Sequence, residues 1–152
     1  MRIKKFLSKF PFLKTEIASL TVVGVGPGDP SLLTISALKA IKKAKVIFFP
    51  ISSYEKKSFS AEIVKNYIQF KEKIPIIFPM GRKEIDPVEI WSNAVEIIVK
   101  YIKRNKSVVL LCLGDTSLFA SSSNILKIIN NSSPEIITKT IPGISSISAA
   151  AA

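Results

Sequence analysis

The residues with the most chemical promise stand in three short words: GVGPGDP at 24–30, LGDTSLF at 113–119 and PGISS at 142–146. A glycine-rich loop between an apolar run and a helical pattern can cradle a dinucleotide pyrophosphate on bare backbone N–H groups. That chemistry needs G-x-G-x-x-G and an acidic residue about 20 positions later for the ribose. Here the glycines are Gly24, Gly26 and Gly28, Pro27 removes an N–H, and the segment where the acid belongs reads AKVIFFP. No Gly-Lys-Ser or Gly-Lys-Thr follows, so a Walker-type loop is excluded as well. Two readings stay open. The glycines turn the chain tightly from strand to helix, or they leave bare backbone for a flat or charged ligand. Recurrence at three places favours the second.

Other chemistries are excluded by what the chain lacks. It contains no histidine, which removes the usual general base near neutral pH and the commonest zinc ligand. With one cysteine, Cys112, neither an intrachain disulfide nor a structural zinc site is expected, and no metal is called for. Cys112 lies inside the apolar run VVLLCL and reads as a buried, inert thiol in a reducing, cytoplasmic compartment. The formal charge of +11 suits an acidic partner. Lysine-rich composition alone accounts for the same number. A nucleic-acid role would require aromatic residues among clustered cations, whereas the nine Phe sit mostly in strands and core-like runs.

The elements that must position the three words alternate between short β-rich runs and longer segments of helical period. Strands are expected at 20–25, 45–50, 73–80, 107–113 and 135–141, and helices at 31–44, 58–70, 86–104 and 117–130, with one more beginning after 145. Ser31 or Asp29 would cap the first helix. At 152 residues, 47% hydrophobic and 22% charged, the chain is long enough for one domain with a real core. The fold class expected is α/β, an open, mainly parallel five-stranded sheet with helices on both faces. Ligands of such sheets bind outside the carboxyl ends of the strands, where all three words fall. Residues 1–19 read as a basic N-terminal extension to a domain spanning 20–152. No apolar run reaches the roughly 18 to 20 residues of a membrane span, and Pro11 would break an amphipathic helix, so no membrane partner is expected.

GVGPGDPSLLT, LGDTSLF and TIPGISSISAAAA, in this order and spacing, resemble the tetrapyrrole (corrin/porphyrin) methylase family, whose members transfer a methyl group from S-adenosylmethionine. VIFFP, FPM at 78–80 and Trp91 resemble, within it, the precorrin-2 or cobalt-factor II C20-methyltransferases of cobalamin biosynthesis. The resemblance implies a two-domain enzyme with S-adenosylmethionine between the domains and an acidic tetrapyrrole in a trough. It implies that Pro27 lies beside the cofactor. Gly114 and Asp115 would face the cofactor's amino-acid or ribose end, Leu118 would pack on it, and Ser145 and Ser146 would complete the pocket. Gly24, Gly26, Gly28 and Asp29 would border the trough. Uroporphyrinogen III methyltransferases of the family carry an Asp just after strand two; here Pro50 stands there, which speaks against the earlier C2/C7 step. The chain resembles only the N-terminal domain, so a second chain or a homodimer would supply the far wall. The alternative is an inactive remnant or basic binding domain that keeps the fold.

Overall fold

The computed structural model describes residues 19–78, 86–104, 107–118 and 121–152. Five strands, β1 (Ser19–Gly24), β2 (Val46–Ile51), β3 (Glu72–Ile77), β4 (Val108–Cys112) and β5 (Ile137–Ile141), form one sheet in the order β3-β2-β4-β1-β5. Every pairing is parallel. Of the N-terminal extension, residues 1–18 lie outside the described residues, while Ser19 already belongs to β1. Pro79 and Met80 of the FPM word are also outside them.

Alternation along each strand builds two apolar layers, as a sheet covered on both faces requires. Val23, Ile47, Val109 and Leu111 point to a layer closed by α1 (Ile35–Lys43), α2 (Phe59–Ile63) and α3 (Lys65–Ile68). Val22, Phe48, Val108 and Leu110 point to the other, closed by α4 (Pro87–Ile102) and α5 (Ser122–Ser132). Ile41 of α1 and Ile98 of α4 are fully buried anchors. Truncating either to Ala removes about 2–5 kcal/mol.

Three helix starts differ from the sequence expectation, and each difference has a local cause. Asp29 accepts the Ser31 N–H at 2.7 Å and caps only a single 3-10 turn, Pro30–Leu32. Thr34 then accepts the Ala37 N–H at 3.1 Å, and this is the cap of α1. The segment expected as one helix at 58–70 is broken at Val64, whose backbone leaves the helical region at φ −105°, ψ 10°. Val64 is fully buried in the first layer, so packing rather than propensity decides the backbone there. α5 begins at Ser122, and Ser117, where the helix was expected to open, instead donates its N–H to Asp115.

The strands do not stay together equally at their carboxyl ends. β1 and β4 remain in register to Gly24 and Cys112. β2 pairs with β4 only over Val46–Phe48 and continues beside β3 alone. Pro50 therefore sits where β2 has lost β4, opposite Ile76 of β3, a place where a missing N–H is tolerated. The chain leaves β1 for the α1 face and β4 for the α5 face. Divergence of adjacent connections to opposite faces opens a crevice at the carboxyl edge.

Candidate functional site

The three words meet at that edge, and glycine makes the meeting possible. A Cβ built on Gly24 would lie 2.5 Å from the Gly143 nitrogen and 2.8 Å from the Gly114 oxygen. One built on Gly143 would strike the Gly114 oxygen and come within 2.7 Å of the Gly24 carbonyl carbon. Gly26 and Gly114 exchange backbone hydrogen bonds, Gly26 N–H to Gly114 O at 3.2 Å and Gly114 N–H to Gly26 O at 2.9 Å. Both adopt positive φ, +80° and +70°, where a side chain is strained. The loops after β1, β4 and β5 are thus fastened backbone against backbone. Gly28 differs: it is exposed, and a Cβ there meets nothing within 4 Å. The glycines of GVGPGDP consequently divide. Gly24 and Gly26 serve packing, while Gly28, with its neighbours Pro27 and Asp29, borders open space.

Asp115 ties the β4 and β5 loops together. One carboxylate oxygen accepts the Ser117 N–H at 2.7 Å and the other accepts the Gly143 N–H at 2.9 Å. The Ser117 N–H does most to hold this carboxyl below its ordinary pKa, burial opposes it, and the Gly143 N–H adds a smaller lowering. Asp115 is an anion at neutral pH. Asp29 is likewise held low, chiefly by the Ser31 N–H it accepts. Ser145 caps the short helix α6 (Ser146–Ala151) by accepting the Ser148 N–H at 3.1 Å, with the two hydroxyl oxygens 3.0 Å apart. Ser146 opens α6 and is exposed, and Leu118 is half-exposed.

The nearby thiol is not poised for attack. Burial, ahead of its other influences, raises the Cys112 pKa, and its sulfur lies 3.6 Å from the carbonyl oxygens of Leu113 and Asp115. A thiol whose pKa is raised offers little thiolate at neutral pH. Among the described residues no group of three or more metal-binding side chains occurs, and no helix is long and apolar enough to cross a membrane. Two site features escaped the sequence reading. Gly143 was placed there only as a neighbour of the serines, yet it is the hub of the backbone contacts, and the buried Thr116 beside Asp115 carries no sequence signal.

The edge is also unusually apolar for exposed surface. Ile35, Tyr54, Phe59, Leu113, Leu118 and Ile147 are exposed, and all lie in loops or first helical turns that follow a strand. Ionised carboxylate, small hydroxyls, close-approaching backbone and exposed apolar side chains line this edge as one wall, an arrangement whose chemistry suits an amphiphilic ligand. No side chain in this wall offers a nucleophile or a base near neutral pH.

Comparison with known proteins agrees with this geometry. The family model for Tetrapyrrole (Corrin/Porphyrin) Methylases matches residues 19–152. The chain is 38% identical over 130 residues, 86% of its length and 54% of the relative's, to the "Probable cobalt-precorrin-2 C(20)-methyltransferase" of Methanocaldococcus jannaschii. It is 35% identical to the Uroporphyrinogen-III C-methyltransferase of Bacillus subtilis over 86% of this chain and 46% of that one. The chain spans about half the length of these curated relatives. Among solved structures, a cobalt precorrin-4 methyltransferase superposes with a TM-score of 0.69 at 20% identity, covering 91% of this chain and 51% of that one. This last likeness is one of fold. With a family model that takes in every strand and all three loops of the site, the chain belongs to the tetrapyrrole (corrin/porphyrin) methylases.

Proposed function

We propose that the chain forms the N-terminal half of an S-adenosylmethionine-dependent enzyme that methylates C20 of precorrin-2 or cobalt-factor II in cobalamin biosynthesis, in a reducing, cytoplasmic setting. The observation that carries this reading is the joining of the β1, β4 and β5 loops at one carboxyl edge through Gly24, Gly114, Gly143 and Asp115. Similarity to a relative named for the C20 reaction supports the position, and so does Pro50. Relatives named for other reactions make regiochemistry the point to test.

The wall fits the proposed donor. S-adenosylmethionine joins cationic sulfonium and ammonium groups to an apolar adenosine, and the edge presents an ionised Asp115 beside the half-exposed Leu118. When bound it supplies an electrophilic methyl group. Gly114 and Asp115 would hold its amino-acid or ribose end, Leu118 would pack on it, Pro27 would flank it, and Ser145 and Ser146 would close the pocket. The loop Gly24–Asp29 would border the acidic tetrapyrrole. A reduced tetrapyrrole carries its own nucleophilic carbon, so these residues need chiefly to align two reactants. Alignment supplies several kcal/mol, up to about 7–11 in ideal intramolecular cases. The exposed apolar edge is the surface we assign to the opposite wall, contributed by the remaining half of the enzyme or by a second chain.

The test is a labelling experiment. The chain, with its complementary half supplied, is incubated with methyl-labelled S-adenosylmethionine and the reduced tetrapyrrole, and the label is located by NMR. A signal at C20 supports the reading. Label at C11, at C2/C7, or none in a folded, donor-binding sample overturns it.

A further inference from the structure

A second concavity lies away from the three loops, between β3 and the α2–α3 pair. Its open volume is about 720 Å³. The floor is apolar, made by Phe49, Ile51, Ala61, Ile68 and Pro75, and the rim carries Lys56, Lys57, Lys65 and Lys73. The rim has one acid, Glu62, already paired with Lys65. Lys73 donates to the Gln69 carbonyl at 3.1 Å, which holds it along the groove. Among the described residues, the ammonium groups of Lys56 and Lys57 make no hydrogen bond or ion pair within 4 Å; Lys57 only biases Glu62 through space. None of these residues belongs to the wall formed by Gly24–Asp29, Gly114–Leu118 and Ser145–Ser146.

The cations are spread rather than gathered. Lys73 stands opposite Ile47, four residues before β2 ends at Ile51, and Lys56 and Lys57 follow that end. At about 3.3 Å per residue, Lys73 lies roughly 13 Å along the strands from the end of β2, beyond which the chain turns through Lys56 and Lys57. Dispersed ammonium groups around an apolar floor match a broad apolar body that carries several separate carboxylates. The lining reaches Ile51 at the carboxyl end of β2, where β2 has parted from β4, and Tyr54 beyond it.

We infer that this groove is a capture site for the acidic side arms and ring edge of the tetrapyrrole, with Lys56, Lys57 and Lys73 as its recognition residues. The inference rests on the tetrapyrrole substrate proposed above and assigns it a contact surface. The rim's net positive charge also speeds encounter with an acidic ligand.

The test titrates the folded chain with an octacarboxylate porphyrin, followed by quenching of porphyrin fluorescence at several salt concentrations and without methyl donor. Lys56→Gln/Lys57→Gln and Lys73→Gln should each weaken binding about fivefold and flatten its salt dependence. Lys73→Arg should restore it. Lys100→Gln/Lys103→Gln, which removes two exposed lysines from the α4 end, should change affinity less than twofold. Circular dichroism confirms that each variant is folded. Unchanged binding by the groove variants, or an equal loss in the α4 variant, overturns the inference. Donor binding is measured separately by calorimetry. A chain that binds porphyrin through the groove but no S-adenosylmethionine refutes the methyltransferase reading alone, and the converse refutes the groove alone.

Discussion

The two flanks of β4 are built to opposite ends. On one side β1 stays paired to Gly24↔Cys112, and the ladder is prolonged past the sheet by the mutual hydrogen bonds of Gly26 and Gly114. On the other side β2 departs after Phe48↔Leu110. Glycine closes the first flank until backbones touch. The second flank is open past that point, with Pro50 in β2, Pro75 opposite Phe49 in β3, and the lysine-rimmed groove beside these two strands. The contrast shows how one sheet supplies two kinds of surface. The closed flank fixes loop positions, as the proposed orientation of a reactant requires, and the open flank leaves the room and charge that the proposed capture requires.

Substitutions should separate the flanks by size of effect. Gly143→Ala on the closed flank forces a methyl group into the Gly114 carbonyl and the Gly24 backbone, neither of which can rotate away. We expect a loss of about 3 kcal/mol or failure to fold, read from urea denaturation. Gly114→Ala meets open space but keeps φ at +70°, so about 1–2 kcal/mol should be lost in the same assay. Asp115→Asn retains shape but turns one accepting oxygen into a donor that faces an N–H. Because the site is partly exposed, about 1 kcal/mol should be lost.

That last effect has a definite pH signature. The folded-state pKa of Asp115 lies below its unfolded value, so its stabilisation is fully present above the unfolded value. It is lost as pH falls through the lower folded value. Denaturation curves of the parent chain and Asp115→Asn should therefore differ at neutral pH and converge in acid. On the open flank, Pro50→Ala should cost under about 1 kcal/mol, mostly through the freer unfolded chain, since β2 has no β4 partner there. A Pro50 effect as large as that of Gly143 would refute the contrast between flanks.

Much of this fold was legible because the strands announce themselves. SVVLLCL is continuously apolar, as a strand covered on both faces must be, and it became β4. The five parallel strands with helices on both faces followed from the alternation of runs. Helix starts were less legible. Asp29, Ser117 and Ser31 look like helix openers in sequence, but short side-chain-to-backbone turns compete with helix, and here they prevailed. The loops that meet at the carboxyl edge were correctly singled out, yet a glycine does not reveal which neighbour occupies its missing side chain. Gly24 and Gly28 read alike in GVGPGDP, and only the fold shows one pressed on Gly143 and the other open. The lysine groove gave no sequence signal, because Lys56, Lys57 and Lys73 come from separate segments joined by β2–β3 pairing.

The most direct test of the central claim is a heteronuclear NMR titration of the labelled chain with S-adenosylmethionine. The account predicts amide shifts concentrated at Gly24–Asp29, Gly114–Leu118 and Ser145–Ser146, with little change at Lys56, Lys57 and Lys73. Absence of any shift in the folded chain, or shifts centred on the lysine groove, would contradict it.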